Sequence, residues 1–137
     1  MRGRELEIEI EREKLDRLSG KILDSCISVH REMGPGLLES VYEQCLMKEF
    51  EIRGIPALNQ VPIPLQYKGF DLSKEFRIDV LVDDCIIIEI KSCDSMIPVY
   101  EAQIISYLRL TNKKLGFLVN FNVKLLKDGF RRFVNNF

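Results

Sequence analysis

The sequence lacks several features that mark large classes of protein. No apolar run approaches the roughly 18–20 residues of a membrane span, and the N-terminus is charged where a signal peptide needs an apolar segment. The four cysteines, Cys26, Cys45, Cys85 and Cys93, show no C-x-x-C spacing, so we expect buried, reduced thiols. These absences predict a cytoplasmic protein that does not bind a membrane.

The chain also has little net charge and no glycine-rich phosphate loop. The formal net charge is −1, so any contact with nucleic acid must come from a local basic patch. Because the sequence has no glycine-rich phosphate loop, nothing in it supports the hypothesis of a nucleotide triphosphatase. Internal repeats and low-complexity linkers are absent as well.

The composition of the 137 residues is that of a globular protein, with 46% hydrophobic and 30% charged residues. We expect one domain over residues 15–137, preceded by a charged N-terminal extension over residues 1–14. In the extension, Leu6, Ile8 and Ile10 alternate with glutamates, which suits an edge strand. The mixture of charges suits a solvated helix equally, and the pattern alone leaves both structures open.

Hydrophobic periodicity predicts an α/β fold in which helices flank a mixed sheet of about five strands. Pro62 and Pro64 remove ladder donors, so the first strand should lie at an edge of the sheet. The predicted helices are 14–32, 37–53 and 98–111, with Gly34-Pro35-Gly36 ending the first, and the predicted strands outside the central hairpin are 59–67, 70–76 and 115–121.

A hairpin is predicted at the centre of the sequence, where residues 77–92 read R-I-D-V-L-V-D-D-C-I-I-I-E-I-K-S. Alternate residues of a strand share a face, which assigns Ile78, Val80, Val82, Ile86, Ile88 and Ile90 to the core. A three-residue loop, Asp83 to Cys85, keeps both faces consistent, whereas a two-residue loop opposes apolar and charged faces.

This register places Asp79, Glu89 and Lys91 on one face of the hairpin. Directly opposed carboxylates repel each other, since opposed Cβ atoms are roughly 4.5–5.5 Å apart. A divalent cation with oxygen ligands would offset the repulsion, and Lys91 would help to neutralise a phosphate. The alternative is a solvated outer face on which Lys91 forms a salt bridge with the carboxylates.

Two motifs carry a resemblance to a known family. Asp79 followed by Glu89-Ile90-Lys91 resembles the D…(D/E)-x-K signature of the PD-(D/E)XK nuclease superfamily. Upstream, residues 36–42, G-L-L-E-S-V-Y, resemble the motif of the GxxExxY family within that superfamily. The resemblance extends from about Val29 to Phe133.

The resemblance implies a restriction-endonuclease-like core and a nuclease that depends on Mg²⁺ or Mn²⁺. It implies a nucleic-acid substrate, DNA before RNA, and leaves a homodimer open. The catalytic residues that it implies are Glu39, Asp79, Glu89, Lys91 and Gln103. The metal ligands would be Asp79, Glu89, the backbone carbonyl of Ile90, and Glu39, and these oxygen ligands favour Mg²⁺ or Mn²⁺ over zinc.

Accessory roles are open for His30, Tyr42 and Tyr107. His30 suits a helix C-terminus as well as a site, and its V-H-R context resembles the family. Gln103 and the tyrosines of its helix would bind a phosphate, a water or a base, or else lie on an ordinary surface. The basic residues of the C-terminal part form either a phosphate patch or a solvated face; they are Lys124, Lys127, Arg131 and Arg132.

A second hypothesis comes from a different functional class. The low net charge and the lack of a dedicated DNA-binding segment also suit a nuclease-like fold without catalysis, acting as a binding or assembly module. Such a module need not bind a divalent cation at the two carboxylates, and metal binding therefore separates the two hypotheses.

Overall fold

Three helices and seven strands follow one another in a computed structural model that describes residues 2–73 and 76–137. The helices are α1 (Arg2–Met33), α2 (Glu39–Arg53) and α3 (Pro98–Thr111). The strands are β1 (Ala57–Pro62), β2 (Gln66–Tyr67), β3 (Phe70–Asp71), β4 (Arg77–Val82), β5 (Ile86–Lys91), β6 (Leu115–Asn120) and β7 (Phe130–Val134), with a short 3₁₀ turn at Leu126–Gly129.

Five strands form one mixed sheet in the order β1-β4-β5-β6-β7, and β2 pairs only with β3. The β5–β6 pair is parallel, and the other pairs of the sheet are antiparallel. Strand β1, which carries Pro62, lies at an edge as predicted. The predicted α/β fold with a five-stranded mixed sheet is confirmed, although β7 was not foreseen.

Helices cover both faces of this sheet. The larger core cluster joins α1 and α2 to one face through residues such as Ile22, Leu46 and Ile88. The smaller cluster joins α3 to the other face through residues such as Leu108, Leu81 and Ile87. A strand covered on both sides has no polar face, and all six residues of β6 are buried.

Helix α1 settles the structure of the N-terminal extension. It runs without interruption from Arg2 to Met33, so residues 2–14 are helical rather than extended, while Met1 lies outside the described residues. The glutamates and arginines of this segment favour a helix. Within the described residues, no helix is both long enough and apolar enough to cross a membrane.

The segment between α2 and β4 differs from its prediction. Two strands, 59–67 and 70–76, were expected, but the chain forms the edge strand β1 and then the short hairpin β2–β3. Pro62 ends β1 and Pro64 lies two residues later, and neither has an N–H to continue a ladder. Lys74 and Glu75, within the second predicted strand, lie outside the described residues.

Candidate active site

The β4–β5 hairpin has the predicted register. Val82 pairs with Ile86 and Val80 with Ile88, which leaves the three-residue loop from Asp83 to Cys85. Asp83 and Asp84 take positive φ values of 49° and 56°, a conformation that aspartate tolerates in turns. The register turns Glu89 and Lys91 away from Ile88 and Ile90, which pack under α1 and α2.

Where β4 and β5 separate, side-chain carboxylates take the place of backbone carbonyls as hydrogen-bond acceptors. The backbone N–H of Asp79 donates a 2.8 Å hydrogen bond to Glu89 Oε2, and the N–H of Ile90 donates one of 2.8 Å to Asp79 Oδ2. Each carboxylate therefore binds the backbone of the opposite strand. The two acidic groups are held side by side without a direct bond between them.

The same irregularity corrects the predicted face of Ile78. Ile78 was expected beside Val80 and Val82, but it packs in the cluster under α3. Regular β4–β5 pairing ends at Val80, so the alternation of side chains does not continue through Asp79. On the other side of β4, Gln60 of β1 has a φ of 54° between two regularly paired residues.

Burial raises the pKa of both carboxyl groups. Glu89 is only 4% exposed, and burial, followed by the charge of Asp79, raises its pKa to about 8. The pKa of Asp79 rises to about 6, chiefly through burial and secondarily through Glu43 and Glu39, against the Ile90 hydrogen bond and Lys91. A second negative charge is thus costly in this pair unless a cation is present.

Lys91 lies beside the pair but forms no salt bridge with either carboxylate among the described residues. Its Nζ atom sits over the Tyr100 ring of α3, 4.4 Å from the ring centroid. The alternative of a solvated face with Lys91 as a salt-bridge partner is therefore wrong, because Glu89 is buried and Lys91 contacts an aromatic ring.

Helix α2 brings two glutamates near the pair. Glu39 is the exposed first residue of α2, and its charge contributes to the raised pKa of Asp79. Glu43, one turn later, has the larger effect on Asp79 and also raises the pKa of Glu89. Sequence analysis missed Glu43, although a spacing of four residues puts it on the same helix side as Glu39.

The amides of β1 hold Glu43. Asn59 Nδ2 donates to one carboxylate oxygen at 3.1 Å, and Gln60 Nε2 donates to the other at 2.7 Å. The unusual backbone of Gln60 lies at this point of β1. Helix α2 and the edge strand thus fix the Glu43 carboxylate close to Asp79.

Helix α3 turns its polar side toward the same region. Gln103 Nε2 donates a 2.8 Å hydrogen bond to the Tyr107 hydroxyl oxygen. Burial raises the pKa of Tyr107, the Gln103 hydrogen bond lowers it, and the charges of Glu89 and Asp79 add to the increase. Tyr107 is therefore within electrostatic reach of both carboxylates, with Gln103 as its direct partner.

Tyr42 and His30 contact the backbone rather than the carboxylate pair. The Tyr42 hydroxyl donates to Gly34 O at 2.5 Å and accepts from Leu37 N–H at 3.2 Å, while the ring stacks on Phe121. His30 Nε2 lies 2.7 Å from Val123 O and links α1 to the segment after β6. Both residues brace the loops at this end of the sheet.

Asn120 is a further residue that sequence analysis missed. It is 3% exposed and pairs with Lys91 across β5 and β6. Its Oδ1 accepts from the N–H groups of Cys93 and Asn122, and its Nδ2 donates to Cys93 O. Asn120 therefore fixes the chain directly after Lys91, and nothing local in the sequence distinguishes it from the other asparagines.

The basic residues of the C-terminal part divide into two groups. Arg131 forms an ion pair with Glu101 of α3, and Arg132 stacks over the Phe137 ring at 4.9 Å. Lys124 and Lys127 line a depression next to His30. Arg131 and Arg132 thus contact partners within the fold, whereas Lys124 and Lys127 lie beside His30.

The donor set fits a hard divalent cation. Asp79 and Glu89 each use one oxygen for the hydrogen bonds described above, so the second oxygen of each is left for another partner. Burial raises the pKa of both carboxyl groups even though Lys91 lowers it, so a divalent cation would favour ionisation of the pair. Within residues 2–73 and 76–137, no three His, Cys, Asp or Glu side chains are close enough together to hold a metal ion, so the structure does not place Glu39 with the pair as a third ligand. The Ile90 carbonyl and water are oxygen donors that could complete the ligand set.

Comparison with known proteins gives one match. The family model of the PD-(D/E)XK nuclease superfamily matches residues 16–133, which is more than half of the 137-residue chain. The matched range includes α2, the β4–β5 hairpin, α3 and β6. No curated protein and no solved structure gives a significant match.

Proposed function

Because the chain belongs to the PD-(D/E)XK nuclease superfamily, we propose that it is a metal-dependent nuclease of the GxxExxY family. Its active site consists of Asp79, Glu89 and Lys91. Residues 15–137 form the nuclease-like domain in this proposal, and residues 2–14 are the N-terminal part of α1.

One observation carries this proposal: the buried carboxylate of Glu89 and the half-buried carboxylate of Asp79 lie side by side, and each accepts a hydrogen bond from the backbone of the other's strand. Burying two acidic groups side by side is unfavourable without a compensating cation, as their raised pKa values indicate. A structural role would be served better by apolar residues at these positions. The arrangement is typical of a site that binds a positively charged partner.

In the proposed site, Asp79, Glu89 and the Ile90 carbonyl would hold Mg²⁺ or Mn²⁺. A bound cation of this kind lowers the pKa of water and offsets charge on a scissile phosphate. The Lys91 ammonium, positioned by the Tyr100 ring, stabilises negative charge that develops on the phosphate oxygens. Gln103 orients a phosphate or a water through the hydrogen bond that fixes it to Tyr107.

Glu39 and Glu43 complete the acidic side of the site. Glu43 is held by two amides, while Glu39 is exposed at the first turn of α2. Both add negative charge near Asp79, and this raises the affinity for a cation. We propose DNA as the substrate before RNA, on the resemblance to the GxxExxY family.

Calorimetric titration with Mg²⁺ and Mn²⁺, together with cleavage assays, tests this function. Substrates should include single- and double-stranded DNA and RNA, and the protein must be free of contaminating nuclease. Glu89→Gln keeps the shape but removes a charged ligand, so cation affinity and cleavage should both fall. Glu51→Gln is the matched control, because Glu51 is exposed and pairs only with Lys48 among the described residues.

Two results together would overturn the proposal. If the wild-type protein binds no divalent cation, and any cleavage is unchanged in Glu89→Gln, the enzyme hypothesis is wrong. A nuclease-like fold acting as a binding or assembly module would then replace it.

A further inference from the structure

The β2–β3 hairpin presents two aromatic rings that belong to neither hydrophobic cluster of the described residues. Tyr67 and Phe70 face each other directly across the hairpin. Lys68 and Gly69 form its turn with φ values of 48° and 85°, both positive, as in the tight turns favoured by two-residue hairpins. The base is closed by hydrogen bonds from Leu72 N–H to Leu65 O and from Ile63 N–H to Phe76 O.

Both rings are open to solvent. Tyr67 is 59% exposed and Phe70 is 70% exposed. Other aromatic residues, such as Tyr42, Phe117 and Phe121, are buried and stack on a neighbouring ring. Within the described residues, neither Tyr67 nor Phe70 belongs to a stacked pair, so both rings keep a face for another partner.

The hairpin projects from the end of the sheet that carries the proposed site. It connects Pro62, the last residue of β1, to Arg77, the first residue of β4, and these two residues pair with each other. Asp79 is two residues farther along β4. Because β4 and β5 are antiparallel, Lys91 also lies at this end. The hairpin and the proposed site therefore lie at the same end of the sheet.

The charges at the hairpin favour a polyanion over an apolar protein partner. Lys68 Nζ sits 5.3 Å from the centroid of the Tyr67 ring, at the tip of the turn. Arg77 is exposed at the base, where its guanidinium donates to Gln60 O. Asp71 adds one negative charge, and its Oδ1 atom accepts hydrogen bonds from the N–H and the hydroxyl of Ser73. Among the described residues of this region, the two cations Lys68 and Arg77 outnumber the one anion, Asp71, which leaves a small positive excess near the rings.

We infer that the β2–β3 hairpin is a contact arm that stacks unpaired bases of a single-stranded or frayed nucleic acid on Tyr67 and Phe70. This inference rests on the proposed function, which supplies the class of ligand, a nucleic acid. It adds that the bound segment is single-stranded. A base offers its face to an aromatic ring only when it is unpaired, so the arm prefers single strands to intact duplexes. Lys68 and Arg77 contact the phosphates on either side.

Measuring nucleic-acid affinity under conditions without cleavage tests whether the hairpin binds bases. The probes are a fluorescein-labelled single-stranded DNA, an RNA of the same sequence and the corresponding DNA duplex, measured by fluorescence anisotropy. All proteins carry Glu89→Gln, so that the strand stays intact. Tyr67→Ala and Phe70→Ala should each weaken single-strand binding by roughly 5- to 150-fold, the range measured for one lost base–aromatic stack. Duplex binding should change much less.

Two control variants separate stacking from other effects. Tyr67→Phe keeps the ring and should bind as the parent protein does. Ile52→Ala removes an equally exposed apolar side chain from α2 and should also have no effect. Because the chain contains no tryptophan, Tyr67→Trp introduces a single reporter whose fluorescence should be quenched by a bound base.

Several outcomes would overturn the proposal that the β2–β3 hairpin binds unpaired bases. They include unchanged single-strand affinity in both alanine variants, a Tyr67→Trp protein whose fluorescence does not respond, and absence of binding by the parent protein. Sedimentation showing that the alanine variants lose a dimer would assign the rings to a second copy of the chain. Cation binding and Glu89-dependent cleavage are measured separately, so the arm can fail while the proposed function stands.

Discussion

The backbone N–H of Asp79 donates a 2.8 Å hydrogen bond to the carboxylate of Glu89 on the neighbouring strand. The carboxylate of Asp79 in turn accepts from the residue after Glu89. These contacts replace ladder hydrogen bonds at the point where β4 leaves regular pairing with β5. A regular ladder there would leave both carboxylates without backbone donors, so the irregularity is what positions the pair.

The stability of the metal-free protein should fall as the pH rises. The pKa values of Asp79 and Glu89 are raised to about 6 and about 8 in the folded protein, while unfolded carboxyl groups titrate near 4. The folded state therefore holds more protons between these values, and the free energy of unfolding decreases from about pH 4 through pH 8. Thermal melts at several pH values measure the slope.

Glu89→Gln should flatten the upper part of this profile, because it removes the group with the higher pKa. Glu51→Gln should leave the slope as it is in the wild type. Added Mg²⁺ should restore stability at high pH, where the pair is ionised. A metal-free protein that becomes more stable between pH 5 and pH 8 would contradict the raised pKa values.

Lys91→Ala should separate cation binding from chemistry. Loss of the ammonium removes its repulsion of the cation, so divalent affinity should persist or increase. The chemical step should slow by about tenfold or more, the scale of one lost electrostatic stabiliser. Calorimetry and single-turnover cleavage measure the two effects separately.

Lys113→Ala is the control for Lys91→Ala, since Lys113 pairs with the exposed Asp84 in the loop at the opposite end of the β4–β5 hairpin. It should change neither quantity. Equal losses of cation affinity and cleavage in Lys91→Ala would show that Lys91 supports the fold of the site instead of its chemistry.

Glu43→Gln should weaken cation binding at least as much as Glu39→Gln. The charge of Glu43 raises the pKa of both Asp79 and Glu89, whereas the charge of Glu39 is among the causes of the raised pKa for Asp79 only. Both variants should have smaller effects than Glu89→Gln, because neither removes a carboxylate of the central pair. Calorimetric titrations of the three variants beside Glu51→Gln rank them, and a much larger effect of Glu39→Gln than of Glu43→Gln would reverse the expected order.

Asn120→Ala should lower the free energy of unfolding by roughly 2–4 kcal/mol, from three lost hydrogen bonds at about 1 kcal/mol each and partly buried groups left unpaired. Asn122→Ala removes only an exposed side-chain contact with Asp94 and should cost less than about 0.5 kcal/mol. Urea denaturation measures both variants. Similar values for the two would show that Asn120 does not brace the chain after Lys91.

Prediction from sequence succeeded where the determining forces are local. The alternation of apolar residues in β4 and β5 admits one loop length that keeps both faces consistent, and that register is the one observed. Prediction failed at Ile78, where alternation assumes an uninterrupted ladder. The Asp79–Glu89 contact breaks that assumption, and nothing in residues 77–82 alone reveals it.

The sequence by itself determined the α/β fold, the hairpin register and the side of β5 on which Glu89 and Lys91 lie, because periodicity and loop length act between near neighbours. Only the tertiary structure decided that Glu43 and Asn120 belong to the neighbourhood of the site. The position of Glu43 near the site depends on the packing of α2 against β1, and that of Asn120 depends on the parallel pairing of β5 with β6. Those contacts join residues far apart in the chain, and their geometry follows from burial of the whole core rather than from any local pattern.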